Sequence, residues 1–181
     1  MPLRVHAFLD GVPLHDAWAI DLPRPRSRTT LNAFLNEAGC LPGDVSPATR
    51  ALLRIRFAVG RLLGWDREPA SADSHRFANR LTDEDRRQTL VPAGTKDGIF
   101  RIVYRFENEQ LSEIANRTVR AAASTALVQG EETYRFYFAV YVQNVSRMTP
   151  LYMAAIGPFR RAIVYPSLLR GVAAAWNEAY G

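Results

Sequence analysis

The chain has 181 residues, 48% of them hydrophobic, and a formal net charge of +5. This length and apolar content predict one folded domain over 1–181 with a sizeable core, and they exclude a wholly disordered chain. No apolar run is long enough to cross a bilayer, and the N-terminus has charges and prolines where a signal peptide needs an apolar stretch. We therefore expect a cytoplasmic protein with no integral membrane association.

The distribution of positive charge argues against a nucleic-acid partner. All basic residues except Lys96 are arginines, and they are scattered among acidic residues rather than gathered in a block. The three histidines show no metal-ligand spacing, and the single cysteine, Cys40, excludes an internal disulfide. We expect no nucleic acid, no metal and no other cofactor, and a chain that is a monomer or a homodimer.

The first half of the chain predicts one strand followed by two short helices. Residues 15–23 have the pattern of a strand that ends at a proline-rich turn. Apolar residues at i, i+3, i+4 and i+7 predict a helix over 27–39, with Ser27 or Thr29 as its N-cap. A second helix is predicted over 46–66, where Ser46 suits the N-cap.

Residues 66–97 are polar and form a predicted crossing or lid-like segment within the single domain. Inside this segment, Thr82 is followed by three acidic and two basic residues. That order predicts a short helix, because the acids stand at its positive end. Consecutive acids on a helix do not face one point, so they indicate a solvated helix start rather than a metal site.

Beyond residue 98 the apolar pattern changes to period two, which predicts an antiparallel sheet. Ile102 and Tyr104 are expected on the same face of the first of these strands. Residues 111–130 are expected to form one long bent strand or two short ones, and 131–146 a further strand. The segment 147–156 is predicted as the last strand.

The C-terminal segment predicts one long helix over about 158–179. Its apolar stripe, which includes Leu169 and Trp176, is expected to face the sheet. Pro166 cannot donate to the carbonyl of Ala162, so a kink is predicted between these two residues while the helix remains continuous.

Small residues over 120–127 are expected to lie opposite this helix, and two interpretations of the space between them remain open. A tightly packed aromatic core would fill the space. Alternatively, the space is an apolar cavity, which is the usual form of a small-molecule site. The expected lining of that cavity is Tyr104, Phe136, Phe138, Leu169 and Trp176.

Polar strand residues supply further candidates for such a cavity. Tyr104, Glu113, Arg117 and Tyr141 could project into it and bind a ligand. Alternatively, Glu113 and Arg117 form a structural ion pair on the rim of the sheet.

Charged residues at two other positions have open interpretations. Asp16 could orient a ligand, or it could be an edge acid that accepts a backbone N–H. Arg160 and Arg161 stand at the positive end of the predicted helix, where cations are mildly unfavourable. Their position suggests nearby carboxylate partners or a surface anion.

Three segments carry a resemblance to a known family. The stretch VQNVSRMTPLYMAAIGPFRRAIVYPSLLR (142–170) resembles the C-terminal signature of an uncharacterised bacterial family, which also occurs fused to NAD-binding, epimerase-like reductase domains. LHDAWAIDLP (14–23) and FRIVYRFENEQLSEIANRTV (100–119) are similar to its pattern as well. The family in turn resembles the helix-grip superfamily of START domains, the birch-pollen allergen and polyketide cyclases. This resemblance implies an α+β helix-grip fold, in which a curved antiparallel sheet wraps around a long C-terminal helix and an apolar cavity.

Two positions depart from that family pattern. Arg160 stands where the family often has a histidine after the Pro-Phe pair, and Thr118 stands where it often has one after the arginine. We therefore expect a binder or carrier of a small hydrophobic ligand. One alternative is a cyclase-like enzyme acting on a polyketide or isoprenoid, with Tyr104 or Arg117 as its acid or base. The other is an accessory or interaction domain with a filled core.

Overall fold

The computed structural model describes residues 3–25, 27–38, 76–115, 120–144 and 148–181. The helix predicted over 46–66 lies outside the described residues, as do Cys40 and Arg117. The elements, in chain order, are helix α1 (Arg4–Phe8), strand β1 (Leu14–Pro23), helix α2 (Leu31–Glu37), a 3₁₀ helix (Phe77–Arg80), helix α3 (Asp83–Gln88), strands β2 (Lys96–Asp97), β3 (Phe100–Arg105), β4 (Glu109–Ala115), β5 (Arg120–Gln129) and β6 (Thr133–Gln143), helix α4 (Met148–Phe159), a π-helical turn (Arg160–Val164) and helix α5 (Tyr165–Tyr180).

Within these residues, six strands form one curved antiparallel sheet in the order β1-β6-β5-β4-β3-β2. Trp18 of β1 lies beside Phe138 of β6, which in turn lies beside Thr125 of β5. We call the face that carries these three residues the helix face, because the C-terminal helix packs on it. The other face, which carries Tyr104 and Tyr141, is called the N-terminal face, because α1 packs on it. The sheet and the long C-terminal helix confirm the predicted α+β fold class.

The segment predicted as the last strand is helical, so that prediction is wrong. Helix α4 begins at Met148 and runs without a break into the π-helical turn. The apolar run of this segment lacks period two, and Pro150 suits the first turn of a helix, where its missing N–H is not needed. By contrast, the segment 111–130 contributes to two strands, β4 and β5, one of the two expected arrangements.

A β-bulge in β3 overturns the expectation that Ile102 and Tyr104 share a face. Ile102 pairs with Ser112 and Tyr104 with Leu111, and these two partners are neighbours in β4. Neighbouring residues of a strand point to opposite faces, so the bulge has shifted the alternation by one residue. Tyr104 therefore lies on the N-terminal face, away from the C-terminal helix.

Helices α2 and α3 each begin at a threonine whose side chain caps the first turn. Helix α3 confirms its prediction: the hydroxyl of Thr82 accepts the N–H of Asp85 at 3.1 Å, and the carboxylate of Asp85 accepts the N–H of Thr82 at 3.0 Å. Helix α2 begins later than predicted, and Thr30, rather than Ser27 or Thr29, is its N-cap.

The C-terminal helix is continuous over Met148–Tyr180 and begins before its predicted start. Where the kink was predicted, the structure has the π-helical turn, in which the N–H of Tyr165 donates to the carbonyl of Arg160, five residues back. Pro166 has no N–H, and in a regular helix its ring would crowd the carbonyl of Ala162. The wider turn accommodates the ring without ending the helix.

Each face of the sheet has its own buried core. On the helix face, side chains of α2 and α5 pack on β1, β5 and β6. On the N-terminal face, α1 and the 3₁₀ helix pack on β3, β4 and β6, and Phe77 and Leu81 belong to this core. The described part of the polar segment, 76–97, therefore contributes to the cover of the N-terminal face. No helix in the described ranges is both long and apolar enough to span a membrane.

Candidate functional site

The structure divides the sequence candidates between the two faces of the sheet. The helix-face core contains Phe136, Phe138, Leu169 and Trp176. The N-terminal face carries Tyr104, Glu113 and Tyr141. Arg117 lies outside the described residues. The seven described candidates therefore do not surround one common space.

On the N-terminal face, Tyr104 helps to anchor helix α1. Its hydroxyl donates to Glu109 Oε1, and the same carboxylate accepts the N–H of Arg4 at 2.7 Å and the N–H of Val5 at 2.8 Å. Glu109 thus satisfies N–H groups that the start of a helix leaves without partners. Burial, followed by the charge of Glu109, raises the pKa of Tyr104 well above its ordinary value. The phenol therefore stays protonated and keeps its structural bond.

Glu113 and Tyr141 are also part of the packing on this face. The carboxylate of Glu113 accepts the N–H of Phe77 at 2.7 Å and so holds the start of the 3₁₀ helix, while burial raises the pKa of Glu113. Arg120, whose charge lies near Glu113, donates to Gln143 Oε1 at 3.1 Å. Tyr141 lies in the same core, and burial raises its pKa. These contacts fix the cover of the N-terminal face.

A cluster of charged side chains lies on the helix face, where β1 meets the π-helical turn. Asp16 Oδ1 accepts a hydrogen bond from Arg161 Nε at 2.8 Å, and Oδ2 accepts one from the Tyr165 hydroxyl at 3.0 Å. Nη2 of Arg160 lies 3.2 Å from Oδ2. The Asp16 side chain is 4% exposed. Its partners are thus side chains of the C-terminal helix, and we call this group, with its neighbour His15, the Asp16 cluster.

Two local irregularities lie beside this cluster. On β1, a bulge between Leu14 and Asp16 leaves Leu14, which pairs with Tyr141, on the N-terminal face. Asp16 pairs with Val140 and lies two residues before Trp18, so strand alternation places it on the helix face, toward the C-terminal helix.

The second irregularity is the π-helical turn itself. In a regular α-helix, residues five apart point about 140° away from each other. Here Arg160 and Tyr165 share one side, and the Arg160 guanidinium carbon lies 5.8 Å from the centre of the Tyr165 ring. That ring also contacts the rings of Trp18 and Phe138, with centres 5.8 Å and 5.6 Å away. The turn thus brings a guanidinium and a phenol together above the sheet.

The charges of the Asp16 cluster do not balance. Two guanidinium groups face one carboxylate, and burial, followed by the charge of Arg160, lowers the pKa of His15. His15 is therefore mainly neutral at pH 7. Burial raises the pKa of Tyr165 as well, so its hydroxyl remains a donor. One positive charge stays uncompensated within the cluster.

Arg160 carries that excess charge together with unused donors. Its side chain is 15% exposed, and its buried Nε and Nη2 atoms make no hydrogen bond to any residue that the structure describes. A buried donor without an acceptor costs about 1–3 kcal/mol. The arrangement favours an additional acceptor at this position.

No described side chain packs beside Gly157, which is buried in α4 one turn before Arg160. A Cβ built on Gly157 would meet no heavy atom within 4 Å, apart from its chain neighbours and its own helix backbone, in the described part of the chain. Met153 stands four residues earlier on the same side of the helix and is buried in the helix-face core. The space beside Gly157 therefore lies toward the sheet.

Small side chains form the central strand beneath the helix face. Ala121, Ala123 and Thr125 of β5 project to this face, and the two alanines are only partly buried although β5 has a strand on each side. Thr125 is 2% exposed, and its hydroxyl has no hydrogen-bond partner among the described residues. Glycine on the helix and small residues on the strand thus bring little side-chain bulk to this layer in the described part of the chain.

Sequence reasoning found one part of this site and missed another. It predicted carboxylate partners or an anion for Arg160 and Arg161, and Asp16 is such a carboxylate. It gave no role in a site to Gly157, which directly follows the segment predicted as the last strand. The available signal was that the segments 14–23 and 142–170 both carried the family pattern, since each supplies one side of the Asp16 cluster.

Comparison with known proteins places the site within a family. A sequence model of the family described as "Protein of unknown function (DUF2867)" matches residues 8–167, a range that includes Asp16, Gly157, Arg160 and Tyr165. Searches of curated proteins and of solved structures each found no match. In the described ranges, no three His, Cys, Asp or Glu side chains are grouped as metal ligands.

Proposed function

We propose that this chain, which belongs to the DUF2867 family of proteins of unknown function, binds a small hydrophobic molecule between its sheet and its C-terminal helix. The observation that carries this proposal is the space that the described residues leave beside the buried Gly157, on the side of the helix that faces the sheet. Native interiors are close-packed, so space at a buried glycine is a feature that needs an occupant or a reason. Ligand sites are commonly concave and apolar with a few polar groups.

The opposite end of the helix face is filled and indicates where the ligand does not lie. The Trp176 ring packs against the rings of Phe34, Tyr134 and Tyr180, with centres 5.3 Å, 5.5 Å and 4.7 Å away. Its Nε1 donates to the carbonyl of Pro23 at 2.9 Å. We therefore assign the ligand to the half of the face near α4 and the π-helical turn, where Trp18 and Phe138 supply apolar surface.

The fold gives this proposal a wider context. A curved antiparallel sheet packed against a long C-terminal helix supports the inference that the family belongs to the helix-grip superfamily, whose members enclose ligands in this layer. We likewise propose a cytoplasmic bacterial protein, in keeping with the family resemblance of its three segments. The cyclase-like alternative has less support, because the hydroxyl of Tyr104 is engaged with Glu109 on the other face of the sheet.

Native mass spectrometry and thermal shift test the proposal. The purified chain should retain a small molecule, or its melting temperature should rise with one class among fatty acids, sterol-like compounds and aromatic polyketides. Gly157→Leu should fill the space and abolish this response while the far-UV circular dichroism spectrum stays unchanged. Gly157→Ala is the matched control and should keep most of the response. A chain that retains no molecule and responds to no class would refute the proposal.

A further inference from the structure

We infer that the ligand carries an acidic head group, a carboxylate, and that Arg160 binds it. This inference rests on the proposed function and names the chemistry at one end of the same site. Its basis is the guanidinium of Arg160, which is mostly buried, sits one turn after Gly157 and has two buried nitrogen atoms without hydrogen-bond partners among the described residues.

The partners of Asp16 explain why the Arg160 guanidinium has no hydrogen-bond acceptor there. Asp16 has two carboxylate oxygens, and aligned donors occupy both: Arg161 Nε on Oδ1 and the Tyr165 hydroxyl on Oδ2. Arg160 Nη2 stands 3.2 Å from Oδ2, yet it makes no hydrogen bond there. Asp16 therefore holds Arg160 by charge and leaves its donors available to a further acceptor.

The charge balance selects a singly charged group. Within the Asp16 cluster, the charges of Arg160 and Arg161 exceed that of Asp16 by one, and His15 is mainly neutral at pH 7. One carboxylate on the ligand neutralises this excess. A doubly charged phosphate would leave a negative excess beside Asp16, which is buried and cannot be screened by water. The planar guanidinium also matches the geometry of a carboxylate.

The surroundings of Arg160 show how one molecule could use both parts of the site. Its guanidinium lies against the ring of Tyr165, and Trp18 and Phe138 contact the same ring. Gly157 lies one turn earlier, with the open space beside it. A ligand with its carboxylate at Arg160 would thus place its apolar part against aromatic rings and toward the space at Gly157.

Matched acid and alcohol probes test this inference by isothermal titration calorimetry at pH 7.5. The pairs are dodecanoic acid with dodecan-1-ol, and 2-naphthoic acid with 2-naphthalenemethanol. The unmodified chain should bind the acid of at least one pair about tenfold or more tightly than the alcohol, as expected for a charge-assisted hydrogen bond. Arg160→Gln should remove this preference by weakening binding of the acid far more than binding of the alcohol. Arg170→Gln, which removes the same charge from an exposed position of α5, should keep the preference.

The possible outcomes distinguish the acidic head group from the proposed binding of a small hydrophobic molecule. Equal binding of acid and alcohol, with both abolished by Gly157→Leu, would refute the acidic head group and leave the proposed function standing. Binding of neither probe in either pair would count against both. The comparison on the unmodified chain needs no variant, so it decides the question even if Arg160→Gln folds poorly. Retention of the acid preference in a folded Arg160→Gln chain would also overturn the assignment.

Discussion

Replacing Pro166 by alanine tests whether packing on the sheet holds the π-helical turn in place. Alanine restores the missing N–H and removes the ring. In the interior of a straight helix, replacing proline by alanine raises the free energy of unfolding by about 3 kcal/mol. To gain that energy, the turn would have to become a regular α-helical turn. Removing one residue from the turn would rotate α4 by about 100° relative to α5.

That rotation would remove contacts that the structure shows. Met153 is 5% exposed, and taking its side chain out of the helix-face core would cost about 1.5–3 kcal/mol. The hydrogen bond between Arg161 and Asp16 would break, at a cost of up to about 1 kcal/mol, because Arg161 is largely exposed. The free energy gained by a regular helical turn and the free energy lost with these contacts are therefore of similar size. We expect Pro166→Ala to change the free energy of unfolding by no more than about 1 kcal/mol in either direction.

Equilibrium urea unfolding, followed by tryptophan fluorescence and by circular dichroism at 222 nm, measures this change. Asn177→Ala, at an exposed position of α5, is the control for helix propensity and should raise stability by no more than about 0.7 kcal/mol. A gain of several kcal/mol from Pro166→Ala would show that the turn opposes the packing of the fold and would refute this reasoning.

Three further substitutions probe other parts of the structure. Gly157→Ala should raise the free energy of unfolding by up to about 1 kcal/mol in urea titrations, because alanine favours the helix and the added methyl group enters open space; a loss would mean that the space is filled. Glu109→Gln should lower that free energy by about 1–3 kcal/mol, since the buried carboxylate accepts two backbone N–H groups of α1; unchanged thermal unfolding would contradict its anchoring role. Folding lowers the pKa of His15, so the unfolded chain binds more protons, and this residue makes stability fall as the pH drops below 6.5; His15→Gln should weaken that fall, and an equal or steeper one would contradict the assignment.

Local patterns in the sequence predicted much of the fold. Alternating apolar residues marked β6, a strand-like run before a proline-rich turn marked β1, and Thr82 with its following acids marked α3. These signals are local, because strand alternation, turns and helix capping depend on neighbours in the chain. The prediction that the helix stays continuous past Pro166 is confirmed, and a π-helical turn lies where the kink was predicted. These features need no knowledge of distant contacts.

Features that depend on distant contacts were not predictable in the same way. The bulge that sends Tyr104 to the N-terminal face is defined by its pairing with β4, and apolar residues occur on both sides of it. The segment after Met148 is mostly apolar and has no clear period, so periodicity alone did not distinguish a strand from a helix. Asp16 and Arg161 are far apart in the chain, and their contact follows from the pairing of β1 with β6 beneath the C-terminal helix.

A crystal structure of the chain grown with 2-naphthoic acid would show whether a ligand enters the layer between the sheet and the C-terminal helix. We expect electron density for the naphthalene ring between the sheet and the helix beside Gly157, with the carboxylate within hydrogen-bond distance of Arg160. Protein side chains filling the space beside Gly157, with the acid absent or bound at the surface, would contradict it.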